Sequence, residues 1–233
     1  MSLAPRELVA SLGAALRRRV HATSRARRHQ LFMSIARPRP GDAVLDVGAT
    51  EFALYGANLL ERAYPWPERI TAVAVEPLDR FRRAFPEVAV VQADGRELPF
   101  PDASFDIVYS NAVLEHVGDA EAQRAFLAEL ARVGRRVFFV TTPDRWFPVD
   151  SHTLVPFAHW MPACVRDAVY ARLGVGDYVI GRLRLVGAGE LGRLATHAGW
   201  PAHTVTRRRL LGLTSVLVLH ARPDRGADEP RRV

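Results

Sequence analysis

Lysine is absent from this chain of 233 residues, so its 32 basic side chains are all arginine. The absence excludes a lysine nucleophile, a Schiff base and the lysine of a phosphate-binding P-loop. A single cysteine, Cys164, excludes an internal disulfide framework and any multi-cysteine zinc site. The redox compartment is thereby left open, with a reducing cytoplasm as the default. No apolar run approaches the length of a membrane span. The pair Arg17-Arg18 is not followed by the apolar segment that a twin-arginine signal needs. Acids are scarce at one end. Residues 1–40 hold nine arginines against one acid, Glu7, a local charge of +8 within a net charge of +7, so the remainder is near neutral. A uniformly basic nucleic-acid-binding body is excluded by that imbalance.

What is present is a repeating pattern of apolar runs. Strands are expected near 43–47, 70–75, 88–91, 105–110 and 135–141, and helices near 53–64, 78–84, 119–132 and 188–198. Alternation of helices with near-continuous apolar strands predicts a parallel sheet covered on both faces. Residues 203–210 and 213–221 are two further β-rich runs separated by about Leu211-Gly212, a connection too short for anything but an antiparallel hairpin. Residues 5–36 read as one or two helices ahead of the rigid turn Arg37-Pro38-Arg39-Pro40-Gly41-Asp42. The spacing divides the chain into a basic helical extension (1–40), a catalytic domain (41–222) with an insert at about 143–187, and a tail (223–233) expected to be disordered.

Three acids follow the strands in order. Asp46 ends Val44-Leu45-Asp46, Glu76 ends Ala72-Val73-Ala74-Val75-Glu76, and Asp94 follows Val88-Ala89-Val90-Val91. Carboxylates at the carboxyl ends of successive parallel strands line the edge where open α/β sheets bind ligands. That order suits a cofactor carrying a cationic amino group, a ribose diol and an adenine, and it points to S-adenosylmethionine. Each acid alone has a plainer reading, as a turn cap or a solvated loop residue.

With Val44-Leu45-Asp46-Val47-Gly48, Ala93-Asp94-Gly95-Arg96-Glu97-Leu98-Pro99-Phe100, Ser104-Phe105-Asp106-Ile107-Val108 and Ser110-Asn111-Ala112-Val113-Leu114-Glu115-His116-Val117, residues 43–142 resemble the class I S-adenosylmethionine-dependent methyltransferases of the type 11 family. The resemblance implies a Rossmann-like α/β fold: a seven-stranded, mostly parallel sheet with an antiparallel C-terminal hairpin strand and helices on both faces. It also implies that Asp46 and Gly48 border the methionine moiety, Glu76 binds the ribose, Asp94 and Gly95 flank the adenine, and Asn111 and Ala112 border the sulfonium. One departure is clear. The family's glycine-rich turn reads Gly48-Ala49-Thr50-Glu51-Phe52 here, without its second and third glycines. Non-glycine residues do not readily take positive φ or let a ligand approach the backbone, so either the turn has another shape or cofactor binding is weakened or lost.

An oxygen acceptor would call for a base, and His116, His152 and His159 are the candidates, with Asp144 and Asp150 behind them. No third ligand can be placed beside His152 and His159, so no metal site is expected. Trp146, Phe147, Phe157 and Trp160 either wall an apolar acceptor pocket or pack the insert onto the sheet. The basic arm reads as a solvated arginine face of a lid helix, in preference to a membrane-surface helix or an RNA contact. The expected function is cytoplasmic methyl transfer from S-adenosylmethionine to a small molecule, with a sugar or lipid-linked acceptor among the candidates and O-methylation favoured. Its rivals are a non-catalytic scaffold or partner subunit with the same fold and an RNA methyltransferase using the arm.

Overall fold

A computed structural model describes residues 23–51, 58–150, 152–153, 155–174, 183–210 and 213–222. Seven strands form one sheet in the order β3-β2-β1-β4-β5-β7-β6. They are β1 (Val44–Val47), β2 (Ile70–Ala74), β3 (Ala89–Gln92), β4 (Phe105–Asn111), β5 (Gly134–Pro143), β6 (His203–Leu210) and β7 (Leu213–Ala221). The first five are parallel, and β7 runs antiparallel to both β5 and β6. The expected hairpin is therefore in place, although Leu211-Gly212 falls outside the described residues, as do residues 1–22 and the tail 223–233.

Helix α1 spans residues 23–36. It is followed by α2 (Leu59–Ala63), α3 (Asp79–Ala84), α4 (Ala120–Val133), α5 (Ala163–Arg172) and α6 (Ala188–His197). The period of two along the strands sorts the core into two layers. Leu45 and Val47 of β1 face Phe126, Leu127 and Leu130 of α4 and Leu191 of α6. Val44, on the opposite face, packs with Phe32 and Ala36 of α1, Leu60 of α2 and Phe81 of α3. Each fully buried Leu or Phe in these layers contributes about 2 kcal/mol of transfer free energy. Asp119 caps α4, its side chain accepting from the Ala122 amide at 2.9 Å.

Two placements differ from expectation. Helix α1 is no separate arm over its described part, because Phe32 and Ala36 are fully buried against the sheet. Strand β2 stops at Ala74, so Glu76 sits in an exposed bend two residues beyond it. The insert contains a 3-10 turn, Ala158–Trp160, and α5. Its aromatic side chains Trp146, Phe157 and Trp160 are exposed and touch one another at its surface. Among the described residues no helix is long and apolar enough to cross a membrane.

Candidate active site

The carboxyl end of β1 opens into a cavity of about 290 Å³ lined by residues from α1, the β1 turn, α2, β4 and the insert. Asp46 and Gly48 lie on its floor, with Asn111 and Ala112 at the end of β4 and His152 at one side. The turn after β1 is held without extra glycines. Gly48 has a φ of +106°, and the amides of Gly48 and Ala49 both donate to the Val73 carbonyl, at 2.8 and 3.2 Å. A Cβ on Gly48 would lie 2.0 Å from Cγ2 of Val113. Beyond it, the Asn58 side chain donates to the Thr50 carbonyl at 2.8 Å, and Glu51 accepts from the Arg80 amide at 2.7 Å. Side-chain clasps hold what a glycine-rich turn achieves with backbone alone. Residues 52–57, expected to begin the next helix, lie outside the described residues.

Two acids and two arginines are among the residues that line this cavity. Asp46 and Glu61 are both buried, and burial together with the neighbouring Glu61 pushes Asp46 well above the usual carboxylate range. Asp46 and Glu61 share a side-chain hydrogen bond when one carboxyl is protonated, and no other donor meets the Glu61 oxygens among the described residues. Arg25 and Arg28 also line the cavity, and their Nε atoms are buried with no hydrogen-bond partner among the described residues. Burial lowers both guanidinium pKa values from the ordinary arginine value. These two arginines, read from sequence as part of a solvated face, are turned inward. Their signal was present as the i, i+3 spacing of Arg25 and Arg28, but only the packing of Phe32 decides which way that face points.

Two acids beside two cationic side chains match the α-ammonium and α-carboxylate of an amino acid, so the described residues fit the methionine end of S-adenosylmethionine. Glu76, Asp94 and Gly95 do not line this cavity. The sheet order nevertheless places the ends of β1, β2 and β3 side by side on one edge. Asp94 there is paired with Arg96 at 2.6 Å in an exposed contact. Arg96, by its hydrogen bond, holds the Asp94 carboxyl below its ordinary value. Gly95 is packed so closely that a Cβ would lie 2.5 Å from the Phe126 ring.

A second group of side chains adjoins the cavity. Ala112 takes a φ of +59°, and the chain then turns through the 3-10 segment Leu114–His116. This brings Nε2 of His116 to 3.1 Å from Nε2 of His152, from the insert. Nδ1 of His152 is 2.9 Å from Oδ1 of Asp150, which also accepts from the His152 amide, while its Oδ2 accepts from the Thr153 amide. Glu115 is fully buried; Thr142 donates to its Oε2 at 3.0 Å, and its Oε1, 3.9 Å from Nε2 of His152, has no hydrogen-bond partner among the described residues. Burial pushes Glu115 up to about 7, against the downward pull of His152. Desolvation, reinforced by His152, takes His116 down to about 4, although the residue is exposed at the surface as a whole. For His152 burial acts downward, but the Asp150 hydrogen bond and the Glu115 charge outweigh it and raise the pKa. His159 is apart from this group: it bonds the Arg145 carbonyl at 3.0 Å and lines a separate cavity with Arg166, Tyr170 and Arg184.

Residues 45–137 match the family described as a methyltransferase domain. Over these residues the chain is similar to S-adenosylmethionine-dependent methyltransferases, and its sheet has the arrangement of their fold. It is 37% identical over 124 residues to a probable S-adenosylmethionine-dependent methyltransferase of Mycobacterium tuberculosis, a match covering 51% of this chain and 42% of that protein. The chain thus spans less than half of that relative's length. It is 27% identical over 198 residues to a malonyl-[acyl-carrier protein] O-methyltransferase of Serratia marcescens, covering 75% of this chain and 72% of the relative. In fold it is similar to an S-adenosylmethionine-dependent methyltransferase from Mesorhizobium loti, with a TM-score of 0.55 at 16% identity over 78% of this chain and 91% of the other. The cofactor of this family is S-adenosylmethionine. Of the residues that the resemblance assigned to it, Asp46, Gly48, Asn111 and Ala112 meet in one cavity, and Glu76, Asp94 and Gly95 lie outside it.

Proposed function

We propose that this protein transfers a methyl group from S-adenosylmethionine to an oxygen atom of a small-molecule acceptor. The observation that carries the reading is the single cavity lined by Asp46, Glu61, Arg25 and Arg28 together with Gly48. Asp46 and Glu61 would hold the α-ammonium, and Arg25 and Arg28 the α-carboxylate. Gly48 would let the backbone approach the ligand closely. Glu76 would take the ribose hydroxyls, and Asp94 with Gly95 the adenine, along the ends of β2 and β3. The exposed Asp94–Arg96 pair would open at little cost, since exposed ion pairs contribute about 0–1 kcal/mol. When bound, S-adenosylmethionine supplies an electrophilic methyl group on a sulfonium.

Asn111 and Ala112 border the reacting end, and the group Glu115, His116, Asp150 and His152 lies beyond it. Polar groups that exchange protons suit a hydroxyl or carboxyl acceptor better than a carbon one. His116 and His152 are therefore the proposed catalytic histidines, while His159, bonded to Arg145 in a separate cavity, is proposed only to shape the insert. The Serratia relative, an O-methyltransferase acting on malonyl-[acyl-carrier protein], is consistent with an oxygen acceptor. Calorimetric titration with S-adenosylhomocysteine tests the cofactor reading. Micromolar binding is expected, weakened tenfold or more by Glu76→Ala, whose exposed side chain is not needed for packing. No binding by the unaltered protein at millimolar ligand would overturn the reading in favour of a non-catalytic protein with this fold.

A further inference from the structure

We infer that Glu115, His116 and His152 form a binding site for a first-row divalent transition-metal ion, with zinc the best match. One ligand atom from each of the three residues lies within 4.8 Å of the others. The two imidazole Nε2 atoms are 3.1 Å apart. Neighbouring ligands on an ion with bonds of roughly 2.0–2.1 Å sit about 3.0–3.4 Å apart, so this spacing is that of two ligands to one ion. Oε1 of Glu115 is 3.9 Å from Nε2 of His152 and has to close by about half an ångström.

Three further observations support an ion here. Glu115 is fully buried, yet among the described residues its Oε1 has no hydrogen-bond donor. A carboxylate oxygen in that position is costly to bury unless a cation or donor meets it. The carboxylate of Asp150, itself buried, engages Nδ1 of His152. A carboxylate behind a histidine fixes the ring and directs its other nitrogen outward, the arrangement that backs most metal-bound histidines. Finally, two imidazoles and one carboxylate suit zinc, iron or cobalt, whereas magnesium and calcium prefer oxygen ligands alone. Three protein ligands leave coordination positions open, and His152 faces the cavity described above.

The residues come from distant parts of the chain: Glu115 and His116 follow β4, and His152 follows β5. In sequence His152 pairs most readily with His159, which lies in a separate cavity, and no third ligand could be placed beside those two. A catalytic consequence rests on the proposed methyl transfer. An acceptor hydroxyl occupying an open position of the ion would have its pKa lowered and would release its proton to water; its oxyanion would then form the new O–CH3 bond as the S–CH3 bond breaks and S-adenosylhomocysteine leaves, with His116 and His152 serving as ligands in place of a base.

The test uses the full chain after chelator treatment and removal of the chelator, titrated with Co²⁺ and then Zn²⁺ without cofactor. One equivalent of Co²⁺ should bind with visible d–d absorption and be displaced by Zn²⁺ but not by Mg²⁺. His116→Ala, at an exposed side chain, and His152→Ala should each weaken binding at least a hundredfold. Asp150→Asn should weaken it by about tenfold to a hundredfold. Circular dichroism and thermal melts establish that each variant is folded, and His116→Ala is decisive should replacement of the more buried His152 unfold the chain. Absence of saturable Co²⁺ or Zn²⁺ binding would overturn the inference, as would unchanged affinity in folded His116→Ala. Ion binding without S-adenosylhomocysteine binding would retain the metal site and sink the methyltransferase reading; the reverse outcome would do the opposite.

Discussion

Replacing Gly48 by alanine should destabilise this protein by two separable effects. The backbone at Gly48 has a φ of +106°, and a Cβ there would lie 2.0 Å from Cγ2, 3.2 Å from Cβ and 3.3 Å from Cγ1 of Val113. Forcing an L-residue into positive φ costs roughly 1–2 kcal/mol. Overpacking against a constrained neighbour adds about 1–3 kcal/mol. A total of about 3 kcal/mol corresponds to a fall in Tm of roughly 6–12 °C for a chain of this size. Val113→Ala removes both Cγ atoms and leaves the Cβ contact. In the unaltered background that substitution should cost about 1 kcal/mol. In the Gly48→Ala background it should cost nothing or restore stability, giving a coupling of about 1–3 kcal/mol. Urea unfolding of the four proteins measures the cycle, with equal m-values required for comparison. Gly48→Ala within 0.5 kcal/mol of the parent, on the order of ordinary surface changes, would refute the steric argument. So would strict additivity of the two substitutions.

Two further predictions concern the cavity and the sheet's flank. Arg28→Met should weaken S-adenosylhomocysteine at least tenfold while leaving 5′-methylthioadenosine, which lacks the amino-acid end, unchanged in calorimetry; equal losses for both would remove Arg28 from the proposed carboxylate site. Arg132 donates to the carbonyls of Leu98 and Phe100 and pairs with Asp102 and Glu129. Arg132→Ala should therefore cost about 2 kcal/mol after allowing for its partial exposure. The hydrogen bond from Arg132 holds the Glu129 carboxyl below its ordinary value. Its stabilisation is thus full above the unfolded carboxylate pKa and lost as pH falls through the lower folded value. The stability gap between the parent and Glu129→Gln should narrow below about pH 4, and a pH-independent gap would argue against the ion pair as its source.

Strand identity was legible in the residues because apolar periodicity is a local property, whereas the sheet order β3-β2-β1-β4-β5-β7-β6 was not. Val44-Leu45-Asp46-Val47 reads as a buried strand whatever its neighbours, and a two-residue connection before Leu213 forces a hairpin. The ordered acids Asp46, Glu76 and Asp94 were visible for the same reason, since parallel strands deliver their carboxyl ends to one edge. The orientation of each acid was not visible. Asp46 turns into a cavity against Glu61, Glu76 projects into solvent, and Asp94 closes on Arg96. Those outcomes depend on the last turn of each strand and on what packs above it, neither of which is encoded within a few residues.

Long-range pairing accounts for the rest. Arg25 and Arg28 belong to a charged stretch that composition assigns to solvent, yet the burial of Phe32 on Tyr109 and Phe139 rotates their helix so that they enter the cavity. His116 and His152 meet across a gap in sequence because the positive φ at Ala112 aims one loop toward the other. Glu115 is an acid inside an apolar run, a conflict that pattern alone can flag but cannot explain. Its burial has meaning only once Thr142, His152 and Asp150 are in place around it. Local chemistry thus set the sheet, its direction and its cofactor edge. Packing between distant segments set the direction of the charges and assembled the histidine group, because desolvation and close contact exist only when those segments meet.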